Sequence, residues 1–103
     1  MLDERLKNQV IALLIPYEPQ RIGIFGSYAR GDYKQDSDLD ILVAFREGIS
    51  LLQLVQVQQE ISDELGIPVD MVTENSLKNR RLRHYIYQDL IPIFDEEERF
   101  ALS

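Results

Sequence analysis

Cysteine is absent from these 103 residues and histidine appears once, as His84. Without cysteine neither a disulfide nor a thiolate metal site can form. The lone histidine lies far from any candidate serine, and no Gly-x-Ser-x-Gly elbow is present, so a nucleophilic serine is a poor reading. No apolar run approaches the ~20 residues that span a bilayer. The first residues, Met1-Leu2-Asp3-Glu4-Arg5, are charged and polar rather than leader-like, and a cytoplasmic protein is expected. Positive charge is also scarce: 11 Lys and Arg stand against 18 Asp and Glu, a net charge of −7. A general nucleic-acid binder needs a basic face, so direct contact with nucleic acid is not expected. An acidic surface suits solubility and the approach of a basic protein partner. There is no repeat, low-complexity segment or linker, and the length suits one domain spanning 1–103. A hydrophobic fraction of 45% is enough for a real core.

The sequence then divides into recognisable elements. Leu2, Leu6, Val10 and Leu13 recur at helical spacing, with Asp3 and Glu4 well placed near the positive end. Pro16 and Pro19 end that helix and frame a short loop. Arg21 to Phe25 and Leu39 to Phe45 read as strands. The second is apolar on both faces and is expected in the sheet interior. Ser50 with Gln53 forms a capping box for a helix whose face is Leu51, Leu54, Ile61 and Leu65, closed by Gly66. Val69 to Thr73 is a third strand. Asn75 or Ser76 is expected to cap a last helix with Leu82, Ile86 and Leu90 as its buried edge. Ile91 to Phe94 is strand-like, but Pro92 confines it to an edge. Asp95 to Glu98 reads as a solvated acidic run, and Phe100 and Leu102 as a frayed tail or a partner contact.

Between the first two strands runs Gly26-Ser27-Tyr28-Ala29-Arg30-Gly31-Asp32-Tyr33-Lys34-Gln35-Asp36-Ser37-Asp38-Leu39-Asp40. A tight Gly-Ser turn opening a short helix offers backbone N–H groups and a hydroxyl to a phosphate. Asp38 and Asp40, two apart on a strand, share a face at a Cα separation of ~7 Å. Such a pair needs a counter-charge, most naturally a divalent metal. Phosphate cradle and paired carboxylates together suggest phosphoryl or nucleotidyl transfer. A calcium loop starting at Asp36 fails, because Ile41 stands where the sharp turn requires glycine.

Gly-Ser, ten intervening residues and Asp-x-Asp resemble the signature of the polymerase-beta-like nucleotidyltransferase superfamily. The fuller Gly26-Ser27-x-Ala29-Arg30-Gly31 form resembles its minimal nucleotidyltransferase (MNT) family. The resemblance implies an α/β fold with a small, mixed, twisted sheet and helices mostly on one face. It implies Mg²⁺ ions on Asp38 and Asp40, with Asp70 as the third carboxylate, which also helps deprotonate the acceptor. Gly26 and Ser27 would hold the phosphates of ATP. Arg30 reads equally as a phosphate contact or a structural ion pair. With no room for a domain that grips an acceptor, the acceptor should come from a partner or another copy of the chain. Many MNT proteins are encoded with HEPN-domain ribonuclease toxins, so the resemblance implies an antitoxin that transfers AMP from ATP to a toxin tyrosine. The rivals are an antitoxin that only masks its toxin, and a transferase acting on a small molecule or RNA. Arg80, Arg81, Arg83 and His84 form the basic cluster of the chain; it could grip nucleotide phosphates or a partner, and a solvated helix face is its simplest reading.

Overall fold

The computed structural model describes residues 2–98; the proposed packing of Phe100 and Leu102 lies outside them. Four strands form one mixed sheet in the order β3-β2-β1-β4, where β1 is Pro19–Phe25, β2 is Leu39–Phe45, β3 is Val69–Thr73 and β4 is Ile91–Asp95. The pairings β1–β2 and β1–β4 are antiparallel, and β2–β3 is parallel. The parallel pair needs a crossover, and helix α3, Leu51–Leu65, supplies it.

Helix α1, Glu4–Leu14, begins where the Asp3 carboxylate accepts the Arg5 N–H at 2.9 Å. It buries Val10 and Leu14. A 3₁₀ turn over Ile15–Tyr17 and a left-handed Glu18 then swing the chain straight into β1. The strand therefore begins at Pro19, two residues before the Arg21 start expected from the sequence. Proline is tolerated there because the first position of a strand owes no ladder donor. Pro92 sits in β4, at the edge of the sheet as its chemistry requires.

One face of the sheet carries Ile22, Ile24, Leu39, Ile41, Val43, Val69 and Met71, packed against α1, α3 and Tyr28. The other carries Phe25 and Leu42 under Leu77 and Ile86; Ile86 belongs to α4, Arg80–Asp89. Helices thus lie mostly on one face, and β2 is apolar on both sides as expected. Gly23 marks the close approach on the α4 side, since a Cβ there would stand 2.6 Å from Leu90 Cδ1.

The Ser50–Gln53 capping box is present, with Ser50 Oγ accepting the Gln53 N–H at 3.1 Å. The fully buried residues of α3 are Val57 and Ile61, and Leu54 and Leu65 pack against the same core as expected, but Leu51 is 77% exposed. The cap of α4 is Asn79, whose side chain accepts the Arg81 and Leu82 N–H groups. Asn75 and Ser76 are instead consumed in a 3₁₀ turn over Glu74–Ser76. Starting later, α4 leaves Leu82 47% exposed and buries Ile86, while Leu90, just past its end, packs against the same cluster as expected. The acidic run is not wholly solvated either. Asp95 ends β4 and its carboxylate accepts the Glu97 N–H, while Glu96 pairs with Arg46.

Candidate functional site

Strand β1 delivers the chain to Gly26 with φ +72°, a backbone region that side chains other than glycine resist. A second constraint acts at the same residue: a Cβ on Gly26 would lie 2.2 Å from Asp40 Oδ2. The missing side chain is the space in which the Asp40 carboxylate rests. The Gly-Ser turn and the Asp-x-Asp pair, separate in sequence, are thus in direct contact. Ser27 follows, half-buried, in the short helix α2, Gly26–Arg30. Five residues make a weak macrodipole, so the Ser27 hydroxyl counts for more here than the helix end does.

Asp40 lies in β2 opposite Phe25 on one side and opposite Asp70 on the other. The parallel register that pairs Leu39 with Val69 and Ile41 with Met71 sets the two carboxylates side by side. The Leu39 N–H donates to the Pro68 carbonyl at 2.8 Å and fixes the start of that register. The amide oxygen of Gln58 in α3 accepts the Met71 N–H at 2.8 Å and holds β3 from the other side. Asp38 precedes β2 and is exposed, as is Asp70, whereas Asp40 is half-buried.

The electrostatics follow from this crowding. Burial, then Asp70, then Asp38 push the Asp40 carboxyl up to about 6, and Arg30 opposes them. A carboxylate strained in this way by two others gains from a cation. The donor set is all oxygen, which suits a hard divalent ion such as magnesium. Among the described residues no three acid or histidine side chains are already gathered as a ready ligand set.

Arg30 makes the ion pairs that one of its two readings expects. Its Nε donates to Asp32 Oδ2 and its Nη1 to Asp89 Oδ2, each at 3.1 Å. These partners hold the guanidinium above its ordinary value. The sequence reading missed Asp89, 59 residues away. A carboxylate in the last turn of a helix opposes the helix dipole, and that anomaly at Asp89 was the signal available. The exposed Tyr33 ring stacks on the buried Tyr28, centroids 4.2 Å apart, and pins the loop between α2 and β2.

A profile of the family described as a nucleotidyltransferase domain matches residues 4–100. The chain belongs to this nucleotidyltransferase family. A relative from Methanocaldococcus jannaschii, named as a candidate protein adenylyltransferase, is 44% identical over 92 residues, 89% of this chain and 94% of its own. The protein adenylyltransferase MntA of Thermococcus cleftensis is 48% identical over 60 residues, 58% of this chain and 61% of its own. Among solved structures, a minimal nucleotidyltransferase superposes with a TM-score of 0.70 at 40% identity, over 84% of this chain and 87% of its own. A chain from the complex of a tri-AMPylated Shewanella oneidensis HEPN toxin with an MNT antitoxin gives 0.74 at 22% identity, over 96% and 77%. That last likeness speaks for the fold. In this nucleotidyltransferase Gly26 meets Asp40 and Asp40 pairs with Asp70, and of Asp38, Asp40 and Asp70 the first and last are open to solvent. No helix among the described residues is long and apolar enough to cross a membrane.

Proposed function

We propose that this nucleotidyltransferase is a cytoplasmic antitoxin that transfers AMP from ATP to a tyrosine of a HEPN-family toxin. The observation that carries the reading is the seating of Asp40 on Gly26 beside Asp70. It joins a phosphate-binding turn to a carboxylate pair with no intervening wall. Asp38, Asp40 and Asp70 would hold magnesium, which when bound supplies charge neutralisation for the triphosphate and acidifies a nearby hydroxyl.

The chain's own groups do the rest. Gly26 lets the triphosphate approach the backbone, and the Ser27 hydroxyl donates to a β- or γ-phosphate oxygen. Asp70, exposed at the sheet edge, takes the proton of the acceptor hydroxyl. The hydroxyl oxygen bonds to the α-phosphorus as the bond to pyrophosphate breaks, and pyrophosphate leaves with the electron pair. Arg30, held by Asp32 and Asp89, braces α2 rather than gripping nucleotide. The exposure of Asp38 and Asp70 favours a bulky acceptor such as a folded protein over a small molecule that needs enclosing. Docking would supply the orientation that speeds transfer.

The test is mass spectrometry of the HEPN partner after incubation with ATP, Mg²⁺ and the protein. The expected result is a tyrosine heavier by AMP with wild type and no modification with Asp38→Ala or Asp40→Ala. A toxin left unmodified by wild type rejects the transferase reading. Neutralisation that survives in Asp38→Ala would favour masking by binding.

A further inference from the structure

Helix α4 carries its charges against its dipole at both ends. Asp89 stands in the last turn, where a carboxylate is disfavoured, and Arg80, Arg81 and Arg83 stand in or next to the first, where cations are disfavoured. The acidic end is explained by Arg30, at 3.1 Å. The basic end is not: Lys78, Arg80, Arg81, Arg83 and His84 are all exposed, and none of the ion pairs among the described residues involves them. The net charge is −7, so apart from the four Lys and Arg of this segment the chain carries −11. Positive charge is therefore concentrated, and at a place where it weakens the helix that bears it.

The geometry connects this patch to the active corner. Residues 81, 85 and 89 are four apart and share one side of α4. Asp89 on that side holds Arg30, Tyr85 lies beside the same guanidinium, and Arg30 in turn acts on Asp40. Arg81 continues the line one turn further. Leu82 and Tyr85 are 47% and 54% exposed and give the patch an apolar component. Exposed arginine and tyrosine around a leucine make up the composition of a protein-binding surface.

We infer that the exposed side of α4, from Arg80 to Tyr85, is the docking surface for the protein acceptor, which presents an acidic patch beside the hydroxyl to be modified. This rests on the protein-acceptor reading above and names the surface that orients it. Charge complementarity selects the occupant, because exposed cations that make no ion pair among the described residues are complementary to an external anion. A basic patch on one end of the helix whose other end holds Arg30 also fixes which way round the acceptor lands.

The test is the triple variant Arg80→Glu, Arg81→Glu, Arg83→Glu in the full chain. Acids at a helix N-terminus agree with the dipole, so its thermal midpoint should match or exceed wild type, which separates lost docking from lost folding. Binding to the purified HEPN partner is measured by biolayer interferometry at several salt concentrations, and binding of a non-hydrolysable ATP analogue by calorimetry. The expected result is partner affinity weakened about tenfold or more, with loss of most of its salt dependence, and unchanged nucleotide affinity. Unchanged partner affinity overturns the inference, as does a wild type that does not bind the partner. Loss of a gel shift with bulk transfer RNA, with partner binding intact, also overturns it and makes the patch an RNA contact. Wild type that binds the partner through these arginines but never modifies it sinks the transferase reading alone.

Discussion

Replacing Asp40 by asparagine should stabilise the metal-free protein at neutral pH while ending transfer. The Asp40 carboxyl is raised from 3.8 to about 6 by burial, Asp70 and Asp38. Each unit is worth ~1.4 kcal/mol, so the full shift corresponds to ~3 kcal/mol. Asp40 is only half-buried, and solvent screening reduces this to about 1–2 kcal/mol. The sign follows from linkage. The folded protein holds the Asp40 proton more tightly than the unfolded chain, so the stabilising contribution is whole below pH ~4 and is lost as pH rises through about 6. Asparagine, which does not titrate, escapes that loss. In EDTA the variant and wild type should unfold alike near pH 4 and diverge by pH 7, with the variant melting roughly 5–10 °C higher. Mg²⁺ should then raise the wild-type midpoint and leave the variant nearly unmoved. Thermal melts followed by circular dichroism from pH 4 to 8 decide the matter. A variant less stable than wild type at pH 7, or a difference independent of pH, would refute the electrostatic account of this corner.

Other substitutions probe neighbouring parts of the same argument. Ser27→Ala should weaken ATP-analogue binding by ~1.5–3 kcal/mol, the value of a hydrogen bond to a charged group, with little change in melting; unchanged affinity in calorimetry would remove Ser27 from the site. Asp70→Asn should still bind nucleotide but fail in transfer, and an equal loss of both would make Asp70 a simple ligand. Gly26→Ala should cost about 1–3 kcal/mol through its left-handed backbone and the displaced Asp40 carboxylate, and abolish transfer; a normally active variant would refute the seating. Asn79→Ala should cost ~1 kcal/mol in urea denaturation, whereas Asn75→Ala should cost little.

Local chemistry made much of this chain legible. The capping box at Ser50 and Gln53, the edge position of Pro92, and the facing of Asp38 and Asp40 depend on neighbours within a few residues. The first two stand as expected; β2 begins at Leu39, so Asp38 lies just ahead of the strand that carries Asp40. The errors arose where sequence distance hides spatial distance. Periodicity groups Leu51 with Ile61, yet whether a turn of helix meets the core depends on where the helix overhangs the sheet. The same limit applies to Leu82. Asn75 and Asn79 are both competent caps, and the 3₁₀ turn that decides between them is set by Leu77 needing to reach Phe25 and Leu42. The Arg30–Asp89 pair joins two helices that only the fold brings together. Of the site itself, Gly26, Ser27, Asp38 and Asp40 are readable as a motif, while the role of Asp70 depends on a parallel pairing that local sequence cannot fix.

That pairing makes the site a matter of parity rather than of length. Asp70 meets Asp40 because β3 is in phase with β2, and side chains on a strand alternate. Lengthening or trimming α3 and its connections by whole turns or long loops can leave the phase intact. Shifting β3 by a single residue cannot: it would bring Val69 or Met71 to the carboxylate corner and turn Asp70 into the apolar layer beneath α3. Insertions between Phe45 and Val69 should therefore sort into tolerated and fatal according to whether β3 keeps its register on β2, with the number of residues added a secondary concern.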